Sequence, residues 1–150
     1  MTINIEHLQL DELKSFLRIQ ADEAFPDLKD EQRLAMLAEK WYKQAEFCTS
    51  RDESDQLVGM IAFYANRPQS GVAYITHVFI DQHFRRRGIF GRLFRKLKDY
   101  VGKKGYAVVR LEVSKANSVA VVSYLRQGFV IKEEASLRSV YMDYLIQGIV

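Results

Sequence analysis

Hydrophobic and polar residues follow two different periods in the first third of the chain. The segment TINIEHL alternates at every second position, which predicts a short strand. The segment LDELKSFLRIQADEAF then shows three- and four-residue spacings, which predict a helix that ends at Pro26. A second helix is predicted from Asp30 to about Lys43. The first helix should bury one apolar face, formed by Leu10, Leu13, Phe16, Leu17 and Ile19.

Three strands are predicted next. The polar turn RDESD joins AEFCTS to QLVGMIAFY, so these two segments should form a hairpin. The segment VAYITHVFI that follows is apolar at nearly every position and rich in β-branched and aromatic residues. Both of its faces should therefore be covered, which is typical of a strand at the centre of a sheet.

A long amphipathic helix is predicted after this strand. Apolar residues recur at three- and four-residue steps and form one face: Ile89, Phe90, Leu93, Phe94, Leu97, Tyr100 and Val101. Charged residues are expected on the opposite face: Arg92, Arg95, Lys96, Lys98 and Asp99. The last part of the chain predicts a strand in YAVVRLEV, a helix in SVAVVSYLRQ closed by Gly128, and a hairpin of FVIKEE and RSVYMDYLI.

The order of these elements predicts an α+β fold. The strand, helix and strand between Val72 and Val113 should form a right-handed crossover, so that these two strands are parallel. The other strands are joined by short turns and can pair in antiparallel fashion. Residues 1–150 have the length of a single domain, and the apolar fraction of 48% is that of a globular chain. We therefore expect one domain with a mixed, mostly antiparallel sheet.

Charge and cysteine content indicate the setting of the protein. The formal net charge is only +3, but basic residues crowd between Arg85 and Lys104, which indicates one anion site rather than a basic surface. The single cysteine, Cys48, cannot form an internal disulfide, and the N-terminus lacks the layout of a secretion signal. No apolar run approaches the ~20 residues of a membrane span. We expect a cytoplasmic protein with no membrane partner.

The segment FRRRGIFGRLFRKL has the features of a phosphate-binding loop. A strand ends, a glycine-containing turn follows and a helix begins, which leaves free backbone N–H groups beside Arg85, Arg86 and Arg87. The segment has neither the Gly-Lys-Ser/Thr of a nucleotide P-loop nor the dinucleotide fingerprint. With Gly88 and Gly91 alone, a basic and solvated helix start would explain the same residues.

A second set of polar residues lies in LEVSKANSVAVVSYLRQGF. Asn117 falls at the predicted helix start, and Tyr124 follows two turns later on the same face. Glu112 lies near the end of the preceding strand, on the face opposite Leu111 and Val113. Taken singly, Asn117 could be a helix cap, Tyr124 an amphipathic ring of the core and Glu112 a surface charge.

Together the two sets resemble the GNAT superfamily of acyl-CoA-dependent N-acyltransferases, from about Glu46 to Tyr144. The family's apolar-x-apolar strand end and (Arg/Gln)-x-x-Gly-x-(Gly/Ala) motif match Val78-Phe79-Ile80 and Arg85-Arg86-Arg87-Gly88-Ile89-Phe90. Phe90 replaces the usual Gly or Ala, and it could equally be the first core residue of the helix. The family's Asn-x-x-Ala-(x)3-Tyr-(x)3-Gly-Phe is matched without a gap by Asn117, Ala120, Tyr124, Gly128 and Phe129.

The resemblance implies acetyl-CoA as cosubstrate and an amine as acceptor, with direct attack in a ternary complex. It implies that the backbone amides from Arg86 to Gly91 hold the pyrophosphate. The backbone of Val78 and Ile80 would pair with the pantetheine arm, which enters where the two parallel strands splay apart. Asn117 would also bind the cosubstrate.

The resemblance also assigns the proton transfers. Tyr124 would donate a proton to the departing thiolate. Glu112 matches the base position of GNAT members that acetylate protein N-terminal amines, and it would act directly or through water. His77 on the preceding parallel strand is the rival base, because an imidazole titrates near neutrality without tuning. A single strand histidine can equally be a hydrogen-bonded structural residue.

The acceptor remains open among a small amine, an amino sugar, a lysine side chain and a protein N-terminus. In GNAT enzymes the first two helices and their connection line the acceptor site. The corresponding residues here are Asp22, Glu23, Phe25, Asp27 and Trp41, with Tyr64 and Asn66 near the same mouth. The acidic ones could equally belong to an ordinary solvated helix end.

Two functions without catalysis stay as alternatives. One is a catalytically silent acyl-CoA-binding module. The other is a nucleic-acid-binding domain that uses the basic cluster from Arg85 to Lys98, which is disfavoured because no aromatic stacking platform is predicted beside it. No metal is expected, since the residues that could bind one show no ligand spacing: His7, His77, His83 and Cys48. The sequence leaves the oligomeric state open, with a homodimer as one option.

Overall fold

The computed structural model describes residues 1–23 and 26–146. Its helices and strands follow the predicted order. They are β1 (Thr2–Glu6), α1 (Leu10–Glu23), α2 (Glu31–Gln44), β2 (Glu46–Arg51), β3 (Leu57–Tyr64), β4 (Val72–Ile80), α3 (Ile89–Lys103), β5 (Val108–Ser114), α4 (Ser118–Gln127), β6 (Val130–Glu134) and β7 (Ser139–Leu145). Short 3-10 turns lie at Pro26–Lys29, Pro68–Ser70 and Gln82–Phe84.

The strands form one seven-stranded sheet in the order β1-β2-β3-β4-β5-β7-β6. Neighbouring strands are antiparallel except β4 and β5, which are parallel and are connected through α3. Helices α1 and α2 cover one face of the sheet, in a cluster that includes Trp41 and Phe79. Helix α3 covers the other face around Phe94 and Leu111, and α4 packs there through Tyr124. The predicted α+β fold is confirmed.

A β-bulge in β4 changes the face that its side chains occupy. The pairing with β3 shifts between Ala62 and Phe63, so that Thr76 is an extra residue on β4. Before the bulge, Ile75 packs in the α3 layer. After the bulge, Phe79 packs in the layer of α1 and α2. Strict alternation would have placed both side chains on one face.

Strands β4 and β5 pair only in their first halves. Their last paired residues are Ile75 and Leu111. Beyond this point β4 stays paired with β3 as far as Ile80, and β5 stays paired with β7 as far as Ser114. A gap therefore opens between the two strands, and no described strand fills it. The predicted splay of the parallel pair is confirmed.

One position of the predicted apolar face of α1 is wrong. Ile19 is 54% exposed, whereas Gln20 is only 1% exposed. A helix face that contains Leu17 continues three and four residues later, at Gln20 and Ala21, because the helix completes a turn in 3.6 residues. Because Ile19 is apolar, the prediction included it in the buried face, although it lies just outside the edge of that face.

The assignment of Lys98 to the solvated face of α3 is also wrong. Its Nζ donates a hydrogen bond to the Tyr144 hydroxyl at 3.2 Å. The ammonium lies 4.9 Å from the centre of the Tyr144 ring and 5.5 Å from that of Phe94. Cation–π attraction and the apolar stem of lysine explain why this residue turns inward.

Arg51 links β2 to β1 and α1 through ion pairs. The sequence analysis placed Arg51 in the polar turn RDESD. In the structure it is the last residue of β2 and is only 9% exposed. Its guanidinium donates to both carboxylate oxygens of Glu6, at 3.1 and 2.9 Å, and to both of Glu12 at 2.9 Å. Burial opposes ionisation of Glu6, but hydrogen bonds from Arg51 and Thr49 outweigh it and lower the pKa of Glu6.

Candidate active site

The loop after β4 places uncapped backbone amides at the start of α3. Gly88 is the residue that precedes the helix, with a φ of +71°, and no side chain caps the helix there. Arg86 also has a positive φ, of +63°. The first amides of a helix have no partner within it, and they carry about half a positive charge. The loop and helix start therefore form a site for an anion.

The three arginines of the loop remain exposed. Arg85 donates from Nε to the backbone oxygen of Ile80 at 3.1 Å, which ties the loop to the end of β4. The guanidinium of Arg87 lies 5.1 Å from the centre of the Phe84 ring. The Arg85 and Arg87 contacts hold the loop in shape, and the exposed guanidinium groups add positive charge around the amides.

Phe90 and Gly91 in the first turn of α3 both face neighbouring elements. Phe90 is half-buried, and its ring lies 5.3 Å from that of Tyr124 in an edge-on arrangement. A Cβ at Gly91 would lie 3.0 Å from Nε2 of Gln127, near the end of α4. The sequence allowed Phe90 to be either part of the phosphate loop or the first core residue of the helix. Its side chain packs as a core residue does, and its backbone amide lies in the first turn of α3.

The gap between β4 and β5 lies directly beside this loop. Val78 and Ile80 pair with β3 on one side, and their other side faces the gap. Phe79 between them is 1% exposed and packs toward α1 and α2. The Ile80 oxygen accepts from Arg85, but backbone N–H and C=O groups along an unpaired strand edge generally need further partners. An extended ligand that enters the gap can supply them, as an added strand would.

Glu112 is the first residue of β5 beyond the last pair with β4. Its side chain is exposed on the face opposite Leu111, which is the face that carries α1 and α2. Oε2 of Glu112 accepts a hydrogen bond from the Ser139 hydroxyl of β7 at 2.6 Å. A carboxylate therefore lies at the apex of the gap, which is the point where β4 and β5 separate. The hydrogen bond from Ser139 holds one of its oxygens.

Asn117 caps α4, as one of the sequence alternatives expected. Its Oδ1 accepts a hydrogen bond from the backbone N–H of Ala120 at 3.2 Å. The side-chain NH2 group is not used by this cap and can donate to a ligand. The cap and the binding of a cosubstrate are thus compatible at one residue.

Tyr124 of α4 packs on the face of the sheet that carries α3. It is half-buried, and its ring centre lies 5.8 Å from that of Phe129. Burial raises the pKa of Tyr124 above its usual value of 10. The phenol therefore keeps its proton at neutral pH and is available as a proton donor.

His77 is packed among aromatic rings on the face that also carries Glu112. Its ring centre lies 4.6 Å from Trp41 and 5.5 Å from Phe79. Nδ1 is 3.3 Å from the Thr76 hydroxyl. Burial lowers the pKa of His77 to about 4, so the imidazole is neutral at pH 7.

The residues expected around the acceptor are found in different settings. Trp41 has no exposed surface, so it supports the site from within the core. Tyr64 is half-buried, whereas Asp22, Asp27 and Asn66 are exposed. Phe25 and the side chain of Glu23 lie outside the described residues.

The sequence prediction missed several polar residues on the face beside Glu112. Arg110 binds Asp143 of β7 through two hydrogen bonds, at 2.8 and 3.0 Å. Tyr141 is the β7 residue opposite Glu112. Tyr74 and Arg110 are opposite each other on β4 and β5. Alternation along β5 could have indicated Arg110, but the β7 partners depend on a strand register that no local pattern encodes.

The site does not coincide with a second concave surface of the described residues. A groove of about 700 Å³ lies at the other end of α3, lined in part by Lys98, Gly102, Tyr106 and Tyr144. Because α3 has 15 residues, its two ends are about 22 Å apart. The groove therefore lies away from the strand gap and from the start of α3.

Three further features of the described residues concern metal binding, membrane insertion and thiol chemistry. Within residues 1–23 and 26–146, no three His, Cys, Asp or Glu side chains lie close enough together to hold a metal ion. In the same ranges, no helix has the length and apolar character needed to cross a membrane. Cys48 is buried in β2, where its Sγ contacts the backbone oxygen of Leu93 at 3.4 Å, and burial raises the pKa of its thiol to about 12.

A family model and a curated relative both match this chain. The model of the acetyltransferase (GNAT) family matches residues 10–129. An N-acetyltransferase of Methanocaldococcus jannaschii, described as uncharacterized, is 29% identical over 145 residues. That match covers 88% of this chain but 62% of the relative, so the chain spans less than two thirds of the relative's length.

Solved structures show the same fold. A Desulfovibrio desulfuricans protein assigned to the GNAT family superposes with a TM-score of 0.77 at 16% identity, over 97% of this chain and 99% of that one. The PaiA N-acetyltransferase of Thermoplasma acidophilum, solved with coenzyme A, gives 0.72 at 16% identity, with 97% and 99% coverage. The ribosomal-protein-S18-alanine N-acetyltransferase of Escherichia coli gives 0.72 at 17% identity, with 99% and 97% coverage.

The two sequence motifs, the uncapped start of α3 and the gap between β4 and β5 agree with these matches. The family model extends over most of the chain. The chain therefore belongs to the acetyltransferase (GNAT) family.

Proposed function

We propose that this protein is an acetyl-CoA-dependent N-acetyltransferase that transfers an acetyl group to a primary amine by direct attack in a ternary complex. The observation that carries the proposal is the gap between β4 and β5. Its apex holds Glu112, and its open end leads to the uncapped start of α3. From Ile75 to Ile80 the strand extends over about 16 Å. A pantetheine arm lying along this edge would bring its thioester to the apex.

The residues along the gap fit the chemical groups of acetyl-CoA. The amides from Arg86 to Gly91 would bind the pyrophosphate, with the guanidinium groups of the loop, Arg85 included, adding positive charge. The backbone of Val78 and Ile80 would pair with the amides of the arm. Asn117 would donate from its side-chain NH2 group. Acetyl-CoA supplies the activated acyl group as a thioester.

Glu112 is proposed to take the proton of the attacking amine, directly or through one water. Deprotonation of an amine with a lysine-like pKa of about 10.4 costs about 4.6 kcal/mol at pH 7. A carboxylate that accepts this proton at the apex would therefore have a large effect on the rate. His77 is less suited to this role. It is packed against Trp41, and a neutral imidazole attracts an ammonium group more weakly than a carboxylate does.

Tyr124 is proposed to protonate the departing thiolate. Its raised pKa keeps the proton in place until the sulfur leaves, and the ring is held by Phe90 and Phe129. Glu112 and Tyr124 stand on opposite faces of the sheet. One can therefore receive a proton from the acceptor side while the other serves the sulfur from the cosubstrate side.

The proposal is tested by separating binding from turnover. Calorimetry should show that acetyl-CoA binds, and thiol release should be measured with a panel of a polyamine, an amino sugar, a lysine peptide and peptide N-termini. The last class is included because one structural neighbour is named as an alanine N-acetyltransferase. Glu112→Gln should keep acetyl-CoA binding and lose turnover about a hundredfold. Glu133→Gln, an exposed residue of β6, is the matched control.

Each result has a definite meaning. Absence of acetyl-CoA binding by folded protein would overturn the whole proposal. Binding without turnover of any amine in the panel would identify a catalytically silent acyl-CoA-binding module instead. Full activity of Glu112→Gln would remove Glu112 as the base while leaving the cosubstrate in place.

A further inference from the structure

We propose that Ser139 is a positioning residue that orients the carboxylate of Glu112, and that Ser136 supports it from behind. The proposal rests on the proposed function, in which Glu112 is the base. Ser139 begins β7 and is 8% exposed. Ser136 lies in the turn between β6 and β7 and is exposed. Neither residue belongs to the motifs that identified the site.

The three side chains form a continuous series of hydrogen bonds. Ser139 Oγ is 2.6 Å from Glu112 Oε2, and Ser136 Oγ is 2.9 Å from Ser139 Oγ. The backbone N–H of Arg138 donates to Ser136 Oγ at 3.1 Å. The series therefore runs from the turn, through two hydroxyls, to one oxygen of the carboxylate.

The direction of donation follows from the number of hydrogens. An ionised carboxylate can only accept, so Ser139 must donate to Glu112. A hydroxyl has a single hydrogen, so toward Ser136 the Ser139 oxygen must accept. Ser136 then donates its own hydrogen to Ser139 and accepts from Arg138. Hydrogen bonds that point in one direction polarise one another and become stronger.

The turn that carries these hydroxyls is itself held in place. The backbone N–H groups of Ala135 and Ser136 both donate to the backbone oxygen of Ser139, at 3.0 and 3.3 Å. The N–H of Lys115 donates to the backbone oxygen of Arg138 at 2.8 Å, which joins the turn to the end of β5. The turn that carries the two hydroxyls is therefore held by contacts with both β7 and β5. The hydroxyl series binds Oε2 of Glu112 and leaves Oε1 for the amine.

Other polar groups also lie near Glu112. Tyr74 of β4 and Tyr141 of β7 are close to it, and Arg110 of β5 is bound to Asp143. The hydroxyl of Ser139 is the group that donates to Oε2. A loss of kcat in Ser139→Ala that a hydroxyl at the same position restores therefore separates the orientation of the carboxylate from a purely structural effect.

A double-mutant cycle tests the proposal. Ser139→Ala should lower kcat about tenfold, because it removes a hydrogen bond to a charged group, and should leave the Kd for acetyl-CoA unchanged. Ser139→Thr keeps the hydroxyl and should restore most of the activity. In a Glu112→Gln background, Ser139→Ala should cause no further loss, since the two residues act as one unit. Ser54→Ala, in the exposed turn after β2, is the control.

Two outcomes would overturn the inference. One is an equal loss of kcat on Ser139→Ala in the wild-type and Glu112→Gln backgrounds. The other is a wild-type rate for Ser139→Ala while Glu112→Gln is impaired. If Ser139→Ala fails to fold, Ser136→Ala in the exposed turn takes its place with a smaller expected loss of kcat. Full activity of Glu112→Gln would instead refute the proposed base, so the two failures are distinguishable.

Discussion

At the scale of single residues, several side chains of the site combine a structural contact with a free chemical group. Asn117 uses its oxygen for the cap of α4 and keeps its NH2 group. Tyr124 uses its ring in the core and keeps its hydroxyl as a donor. The structural contact holds each residue in one orientation, which is the condition for precise binding and proton transfer.

Tyr124→Phe should test the proposed proton transfer from Tyr124 to the departing sulfur. We expect kcat to fall about a hundredfold, because a positioned general acid typically contributes at least that much. The Kd for acetyl-CoA and the melting temperature should change little, since the ring contacts with Phe90 and Phe129 are kept. Because the pKa of Tyr124 lies above 10, its deprotonation should not limit the wild-type rate below that pH. An unchanged kcat in Tyr124→Phe would exclude the proposed acid.

Gly88→Ala should weaken both the loop and the binding of acetyl-CoA. A φ of +71° costs a residue with a Cβ about 1 kcal/mol, although there is open space around Gly88. Urea denaturation should show this loss, and calorimetry should show a higher Kd. Gly102→Ala, in the last turn of α3, is the control and should have the opposite effect on stability, because alanine has a higher helix propensity than glycine. Equal effects of the two substitutions would contradict this account of the loop.

At the scale of elements, the sheet depends on cross-links that the hydrophobic pattern does not show. Strand β1 lies at the sheet edge, and its Glu6 is joined to Arg51 of β2 and through it to Glu12 of α1. A buried arginine whose partner is removed is left uncompensated in a medium of low dielectric constant. The cluster therefore contributes to the docking of both elements.

Glu6→Gln should destabilise the protein by about 2 kcal/mol at pH 7, because it removes a charged partner of a nearly buried arginine. The pKa of Glu6 is lower in the folded than in the unfolded chain. Its contribution is thus complete above the unfolded value of 4.5 and is lost as the pH falls through the folded value. Denaturation at pH 7 and pH 3 should show a difference between wild type and Glu6→Gln that shrinks in acid. A constant difference would contradict the pairing.

At the scale of the whole molecule, the proposed binding in the gap between β4 and β5 should make stability depend on the ligand. The two halves of the sheet are joined by a pair of strands that is matched only as far as Ile75 and Leu111. A ligand that binds only the folded state stabilises it in proportion to the logarithm of its concentration.

Acetyl-CoA at a hundredfold excess over its Kd should raise the unfolding free energy by about 2.7 kcal/mol. The melting temperature should rise accordingly in differential scanning fluorimetry, and the rise should be smaller at high salt because the loop attracts an anion. Adenosine is the control, since it lacks both the pyrophosphate and the arm. An equal rise with adenosine would place binding away from the loop and the gap.

The sequence allowed the order of elements, the parallel pair and the two motifs to be predicted, because each leaves a local period or a fixed spacing. Ile19 and Lys98 were misassigned because hydropathy alone does not show where the edge of a helix face falls. Ser139 was missed because it reaches Glu112 only through the register of β5 and β7. Contacts between residues far apart in the chain depend on tertiary pairing, which single-sequence periodicity does not contain.

The extra residue at Thr76 has a consequence for how β4 can vary. Odd-numbered residues of β4 lie in the α3 layer before the bulge, as Ile75 does, and in the layer of α1 and α2 after it, as Phe79 does. Removal of Thr76 would restore a regular ladder and keep His77 and Phe79 opposite their present β3 partners. Removal of Val78 would instead move Phe79 to the opposite face, away from Trp41. The strand can therefore lose a residue at the bulge, whereas a change of length beyond it would disturb the edge that faces the gap.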